Sequence, residues 1–278
     1  MTSRLNQLTK ELKSSLDAQV LLAHITKKTK AWLLAHPELE LTDTEEKKLE
    51  NALAKLKNNI PLPYVIGHWE FFGLEFHISN AVLIPRPETE ELVERALDWL
   101  RANKARRVLD VGTGSGCIPI SLARNARDLN VVGVDISSSA LNIARQNAQR
   151  HKVEITFIQS NLFSNLKPRC PEPVEGFKPF DLITANLPYI PTATLETLDV
   201  YTREPTLALD GGADGLNLIR QLLKDAPHHL ASKGAIMLEI DSSHGQNALA
   251  LANEFFPEAK NDLMQDLSGR DRFIIIQT

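Results

Sequence analysis

The stretch Val108-Leu109-Asp110-Val111-Gly112-Thr113-Gly114-Ser115-Gly116 restricts the possible folds of this 278-residue chain more than any other. An apolar, β-branched run passes directly into three alternating glycines, and helical periodicity follows from Cys117 to Arg127. Strand, glycine turn and helix in that order form the opening unit of an open α/β sheet that binds a ligand at the carboxyl ends of its strands. Glycines at 112, 114 and 116 let the backbone approach a ligand closely and present N–H groups at a helix N-terminus, with Thr113 and Ser115 in the same turn. The next strand, Val131 to Val134, ends in Asp135, roughly 20 residues beyond the last glycine, where a carboxylate can accept from both ribose hydroxyls. A nicotinamide enzyme would space its glycines G-x-G-x-x-G, whereas here the spacing is G-x-G-x-G, which favours S-adenosylmethionine as the nucleoside.

A later apolar run, Asp181 to Ala185, leads into Asn186-Leu187-Pro188-Tyr189. As the carboxyl end of a buried strand, these four residues fall on the ligand edge of the same sheet. They bring together a carboxamide, a backbone carbonyl and an aromatic ring. A planar NH2 group is a poor nucleophile until both of its hydrogens are accepted and the nitrogen can turn pyramidal. The Asn186 side-chain oxygen can accept one hydrogen and the Leu187 carbonyl the other. Pro188 biases Leu187 towards extended geometry, and Tyr189 can stack on a flat group. Read alone, Asn-x-Pro-Tyr is also an ordinary strand-to-loop turn. Joined to the glycine turn and Asp135, it points to methyl transfer onto an amino group.

The remaining chain divides in three. Residues 1–60 show helical periodicity without strand signals: Leu5, Leu8 and Leu12 share a face, Asp17 can cap a second helix, and Thr42 or Asp43 a third. This small bundle either binds a partner and positions a substrate or simply supports its neighbour. Residues 61–84 change to short aromatic and β-branched runs, Tyr64-Val65-Ile66, Trp69 to Phe72 and Phe76 to Ile78, punctuated by Gly67 and Gly73, and are expected to form a β-hairpin linker. Its Phe71 is either core or a wall of the substrate pocket. Residues 85–278 alternate strand and helix. Pro85-Arg86-Pro87-Glu88-Thr89-Glu90 opens a helix to about Leu100, and its Arg86 can clamp a carboxylate or form a helix-start salt bridge. Further elements are expected at 137–151, 153–159, 215–230, 235–240, 260–266 and 273–276. Asn161 and Leu162, after the strand ending at Gln159, are placed to meet an adenine edge and face. The proline-rich loop at 167–179 reads as an exposed insertion without chemistry.

Composition removes several classes. No apolar run reaches membrane-spanning length and Met1 to Lys13 lacks a signal core, so a cytoplasmic chain is expected. The formal net charge of −4 argues against a dominant nucleic-acid surface. Cys117 and Cys170 and the eight histidines show no metal-ligand spacing, and no metal is expected. Cys117, at a helix start, is expected to be a small buried hydrophobe rather than a reactive thiol.

Taken together, Pro63 to Gly67, Pro85 to Glu90, Gly112 to Gly116, Asn186 to Tyr189, Glu204 to Gly215 and Gly269 to Arg272 resemble the peptide chain release factor glutamine methyltransferase family. The resemblance implies a helical N-terminal domain, a hairpin linker and a Rossmann-like, seven-stranded α/β domain binding S-adenosylmethionine. It implies methylation of the glutamine side-chain amide in the Gly-Gly-Gln motif of class 1 release factors. We expect a monomer, with no membrane and no direct nucleic-acid partner. Carried over, Gly112, Thr113, Gly114, Ser115, Gly116 and Asp135 hold the cofactor, Asn161 and Leu162 line its adenine, and Asn186 to Tyr189 hold the glutamine amide. In two places the chain departs from the family: Leu187 stands where a proline is usual, and Asn161 where an acidic residue is common. Asn-Leu-Pro-Tyr also resembles the motif of ribosomal RNA adenine dimethyltransferases, so the rival reading is transfer to an exocyclic amine of a nucleic-acid base. A scaffold that keeps the fold without catalysis is disfavoured by the intact glycines, Asp135 and Asn186.

Overall fold

The computed structural model describes residues 4–166 and 178–278. Cys170 and most of the loop expected at 167–179 therefore lie outside the described residues. The chain divides into two compact units, Met1–His68 and Trp69–Thr278.

The first unit is helical: α1 (Arg4–Leu12), α2 (Ser15–Thr26), α3 (Lys30–Ala35), α4 (Asp43–Lys57) and α5 (Leu62–Ile66). Its interior is built by Leu8, Leu21, Leu22, Leu33 and Leu49, all buried, while Leu5 and Leu12 are only half-buried. The α2 cap is Ser14 and not the expected Asp17; the Ser14 hydroxyl accepts the Asp17 N–H at 3.1 Å, and Asp17 sits in the first turn, where its charge suits the helix dipole. Thr42 caps α4 in a full capping box with Glu45. Tyr64-Val65-Ile66, expected as strand, is helical. Pro63 lies in the first turn of α5, where its fixed φ favours a helix start, and Gly67 in the left-handed region (φ 78°) closes the helix by donating to the Pro63 carbonyl.

The second unit opens with a hairpin of β1 (His68–Phe71) and β2 (Leu74–His77). Phe72 and Gly73 both have positive φ, as a two-residue type I′ turn requires, and the Phe72 N–H is held by Glu90 Oε1 at 2.9 Å. After the hairpin come α6 (Pro87–Asn103), β3 (Arg107–Val111), α7 (Cys117–Asn125), β4 (Asn130–Asp135), α8 (Ser138–His151), β5 (Thr156–Gln159) and β6 (Phe180–Ala185). The chain ends with α9 (Thr192–Leu195), α10 (Asn217–Asp225), β7 (Leu230–Glu239), α11 (Gly245–Phe255), β8 (Lys260–Gln265) and β9 (Asp271–Gln277).

Strand order in the sheet is β5-β4-β3-β6-β7-β9-β8, parallel except that β9 runs antiparallel to β7 and β8. This is the seven-stranded α/β sheet that the alternation of elements led us to expect. From β3 the chain winds outward through β4 and β5 and then returns to place β6 on the other side of β3. The crevice between β3 and β6 is thus a topological switch point, the place where open α/β sheets bind ligands. Val111 lies level with Ala185 in the register, so the glycine turn and the Asn186 loop leave the sheet side by side. Below them Leu109, Val111, Ile183, Ala185, Ile236 and Leu238 form the core on one face of the sheet, and Val108, Leu182, Ala235 and Met237 are buried on the other, as covered parallel strands require.

Candidate active site

The glycine turn takes its shape from internal hydrogen bonds. The N–H groups of Gly112 and Thr113 both donate to the Val134 carbonyl at 2.9 Å, Gly116 donates to Thr113, and Gly114 donates to Asp135 Oδ2 at 2.8 Å. Most of the N–H groups expected to face a ligand are therefore spent within the protein. What the turn offers is close approach: φ is +74°, +54° and +80° at Gly112, Gly114 and Gly116. A cradle for a pyrophosphate needs free N–H donors; a nucleoside without phosphate does not. The Asn147 carboxamide braces the turn from behind. It donates to the Ser115 carbonyl at 2.9 Å and pairs with both backbone groups of His77 on β2.

Asp135 ends β4 at the mouth of this turn, with Oδ1 accepting from the Ser137 N–H and Oδ2 from Gly114. Burial raises its pKa, against the pull of those N–H groups. Each of its oxygens keeps a lone pair for a further donor. Asp135, the turn residues 112–115, Asn161, Leu162 and Asn186 line one cavity of about 370 Å³. The sequence reading missed Ile136, half-exposed (48%) beside Asp135 on the cavity wall; an apolar residue directly after a strand-ending acid was the available signal. Leu162, with φ at 49°, is buried against the same cavity. Gly116 is absent from the lining and instead lets α7 and α8 pack closely, since a Cβ there would come within 3.2 Å of the Ala144 Cβ. Cys117, half-buried where a fully buried residue was expected, lines the cavity too, and desolvation pushes its thiol up to about 12.

A second, smaller cavity of about 180 Å³ adjoins the first. The two share Leu83, Arg86, Asn186, Leu187, Pro188 and Ala208, and the smaller one extends to Tyr189. Asn186-Leu187-Pro188 is thus a wall common to both. Phe71 is on neither wall: it is 1% exposed and packs edge-on to Phe76, so the core reading holds for it.

Two of the stretches that carry the resemblance, Pro85 to Glu90 and Glu204 to Gly215, hold this wall. Asn186 Nδ2 donates to the Thr89 hydroxyl at 3.1 Å, and Thr89 donates to Glu239 Oε2 at 2.7 Å. Arg86, the N-cap residue of α6, forms the expected helix-start salt bridge, with a partner distant in sequence. It pairs at 2.5 Å with Glu204, whose other oxygen accepts the Ile84 N–H. Glycines of the Glu204 to Gly215 segment lie against the backbone of Tyr189. A Cβ at Gly211 would come within 2.7 Å of the Tyr189 Cα, and one at Gly215 within 2.4 Å of the Tyr189 oxygen. Backbone bonds between Ile190 and Leu209 and between Gly211 and Ile190 complete the brace. Burial pushes the Tyr189 hydroxyl well above its ordinary pKa, and its nearest acceptor is Glu239 Oε1 at 3.5 Å. Leu187, 4% exposed, lays its Cδ2 on Gly112, where an added Cβ would sit 2.9 Å away. That contact ties the Asn186 loop to the glycine turn.

A family model described as a methyltransferase domain matches residues 102–247, and one described as the PrmC N-terminal domain matches residues 3–67. The chain is 33% identical over 264 residues to the release factor glutamine methyltransferase of Bacillus anthracis, covering 93% of this chain and 91% of that protein. With the namesake from Moorella thermoacetica the identity is 38% over 260 residues, 92% of this chain and 89% of the relative. The chain belongs to the release factor glutamine methyltransferase family. Among solved structures, a T. thermophilus 16S rRNA N2 G1207 methyltransferase in complex with AdoMet and guanosine aligns with TM-score 0.53 at 17% identity, over 76% of this chain and 49% of that one. At that identity the likeness establishes the methyltransferase fold alone. Thr89 contacts Asn186 and also lines the larger cavity, and Gly211 packs on Tyr189. Among the described residues no helix is long and apolar enough to cross a membrane, and no cluster of three or more His, Cys, Asp or Glu could hold a metal ion.

Proposed function

We propose that this chain transfers a methyl group from S-adenosylmethionine to the side-chain amide nitrogen of the Gly-Gly-Gln glutamine in class 1 release factors. The observation that carries the reading is the shared wall: Asn186 to Pro188 stands between a cavity lined by a ribose-type carboxylate and a smaller one ending at an aromatic ring. Gly112, Thr113, Gly114 and Ser115 admit the cofactor, Gly116 shapes the turn, Asp135 takes the ribose hydroxyls, and Asn161 and Leu162 meet the adenine with Ile136. The donor set fits a neutral-headed nucleoside, since the turn's N–H groups are spent and its acceptor is anionic. Bound there, S-adenosylmethionine supplies an electrophilic methyl group.

The protein's own work is alignment and hydrogen-bond acceptance. Asn186 Oδ1 and the Leu187 carbonyl accept the two hydrogens of the glutamine amide, Pro188 holds the loop extended, and Tyr189 covers the flat amide group. With both hydrogens held, the nitrogen lone pair leaves amide resonance and points towards the larger cavity. Alignment of this kind accounts for several kcal/mol of barrier. The amide is barely basic, so its proton leaves after attack, and no strong base is needed beforehand. The chain acts as a monomer in the cytoplasm, on protein and without nucleic acid.

The helical unit recognises the body of the release factor. A cavity of about 250 Å³ within it, floored by Leu21 and Ile25, is rimmed by Lys27, Lys48 and Lys55. Purified protein with labelled S-adenosylmethionine is expected to label the Gly-Gly-Gln glutamine of a class 1 release factor and to leave ribosomal RNA unlabelled. Lys48→Glu with Lys55→Glu should raise KM for the whole release factor by roughly tenfold and leave KM for a short Gly-Gly-Gln peptide unchanged. Labelling of RNA instead of release factor overturns the reading.

The Leu187 departure offers a milder test. If the carbonyl, and not the side chain, accepts an amide hydrogen, Leu187→Pro leaves kcat within about tenfold, under about 1.4 kcal/mol of barrier. Loss of the Leu187 contact on Gly112 makes a calorimetric control of S-adenosylmethionine binding necessary. A variant that binds the cofactor normally yet has lost catalysis rules out the carbonyl account.

A further inference from the structure

Glu239, the last residue of β7, is 1% exposed; its Oε2 meets Thr89 on α6 and its Oε1 lies 3.5 Å from the Tyr189 hydroxyl. Oε2 accepts the Thr89 hydroxyl at 2.7 Å, and Thr89 Oγ1 accepts Asn186 Nδ2 at 3.1 Å. A threonine hydroxyl carries a single proton. While Glu239 is a carboxylate that proton is committed to Oε2, so Thr89 can only accept from Asn186. The carboxamide must then turn its NH2 group to Thr89, which leaves its oxygen directed away from this network.

We propose that Glu239 and Thr89 are positioning residues that lock the Asn186 carboxamide with its oxygen towards the substrate amide, and that the lock holds only while Glu239 is ionised. The inference rests on the proposed role of Asn186 as an acceptor. A solvent proton added to Glu239 Oε2 reverses the chain. The new O–H donates to Thr89 Oγ1, the Thr89 proton becomes free to donate to Asn186, and the favoured partner there is Oδ1. The carboxamide turns over, and a substrate amide meets N–H donors in place of an acceptor.

The surroundings place this switch in a range where it can operate. The titratable or charged groups acting on Glu239 are Glu88 on α6, Cys117 at the start of α7, Tyr189 beyond β6 and Arg272 on β9, with Arg272 itself paired to Asp266 at 3.2 Å. Burial raises the Glu239 carboxyl, the Thr89 bond, Arg272 and a weaker bond from Asn186 oppose it, Glu88 adds to it, and the balance falls at about 7. Because the folded value is raised from 4.5 to about 7, this carboxyl costs stability progressively as pH rises from about 4.5 to about 7, and the loss is complete where activity is restored.

The test is kcat at saturating S-adenosylmethionine and saturating release factor, measured between about pH 5.5 and 8.5. Wild type should lose activity on the acid side of a midpoint near 7, with KM for S-adenosylmethionine unchanged. Glu239→Gln, which cannot titrate, should lack that limb. Thr89→Val should lower kcat by roughly tenfold with unchanged cofactor binding, and Thr89→Ser, which keeps the hydroxyl, should restore both rate and limb. A flat wild-type profile overturns the proposal even if Thr89→Val does not fold. So does a limb that persists in Glu239→Gln, or a Thr89→Val protein with wild-type kcat. All three of those outcomes leave release factor methylation intact, whereas a wild-type protein that does not methylate release factor removes the proposed function itself.

Discussion

Asn186→Ala is expected to lower kcat by about 100- to 1000-fold, equivalent to about 2.7 to 4 kcal/mol, the usual cost of losing one preorganised hydrogen-bond partner of a transition state. The side chain stands on the wall common to both cavities, and Thr89 fixes its nitrogen end. Removing it leaves the backbone of the loop in place, because the bonds from Ile190 to Leu209 and from Gly211 to Ile190 do not involve the side chain. Affinity for S-adenosylmethionine should change much less than kcat. Calorimetry together with single-turnover methylation of release factor separates the two, and an equal loss in both would assign Asn186 to the cofactor alone.

Asp135→Ala should weaken S-adenosylmethionine by roughly 10- to 150-fold, the equivalent of losing charge-assisted bonds of about 1.5 to 3 kcal/mol. Two effects add. The acceptor for the ribose hydroxyls goes, and the Gly114 and Ser137 N–H groups lose the oxygens that now hold the turn in shape. Asp135→Asn divides these contributions, since it keeps one oxygen acceptor while removing the charge. It should fall between wild type and Asp135→Ala in calorimetry. Unchanged affinity in Asp135→Ala would take Asp135 out of the cofactor site.

Where each determinant became visible depends on how local its physics is. The glycine turn, Asp135 and Asn186 to Tyr189 were legible in the sequence because each follows a buried strand directly. The alternation of strands and helices then puts such residues on one edge of the sheet. Capping followed the same logic at Thr42, where Ser/Thr-x-x-Glu is a local pattern. The α2 cap was misassigned because Ser14 and Asp17 are both good caps, and only the path of the chain entering the helix decides between them. Tyr64 to Ile66 looked like strand because its side chains are aromatic and β-branched; the helix form is set by the flanking Pro63 and Gly67 and by burial of Leu62 and Ile66.

The sequence by itself determined the fold class, the ligand edge of the sheet and the residues most exposed to chemistry there. Only the tertiary structure decided how those residues are held. Thr89, Asn186 and Glu239 come from α6, the loop after β6 and the end of β7. Arg86 and Glu204 likewise meet across the fold, and Gly211 matters because Tyr189 packs on it. The spending of the turn's N–H groups on Val134 and Asp135 was hidden for the same reason, since it depends on the level at which β4 pairs with β3. A glycine or a carboxamide announces its own chemistry, but its hydrogen-bond partner is chosen by strand register and helix packing, which no single stretch of sequence contains.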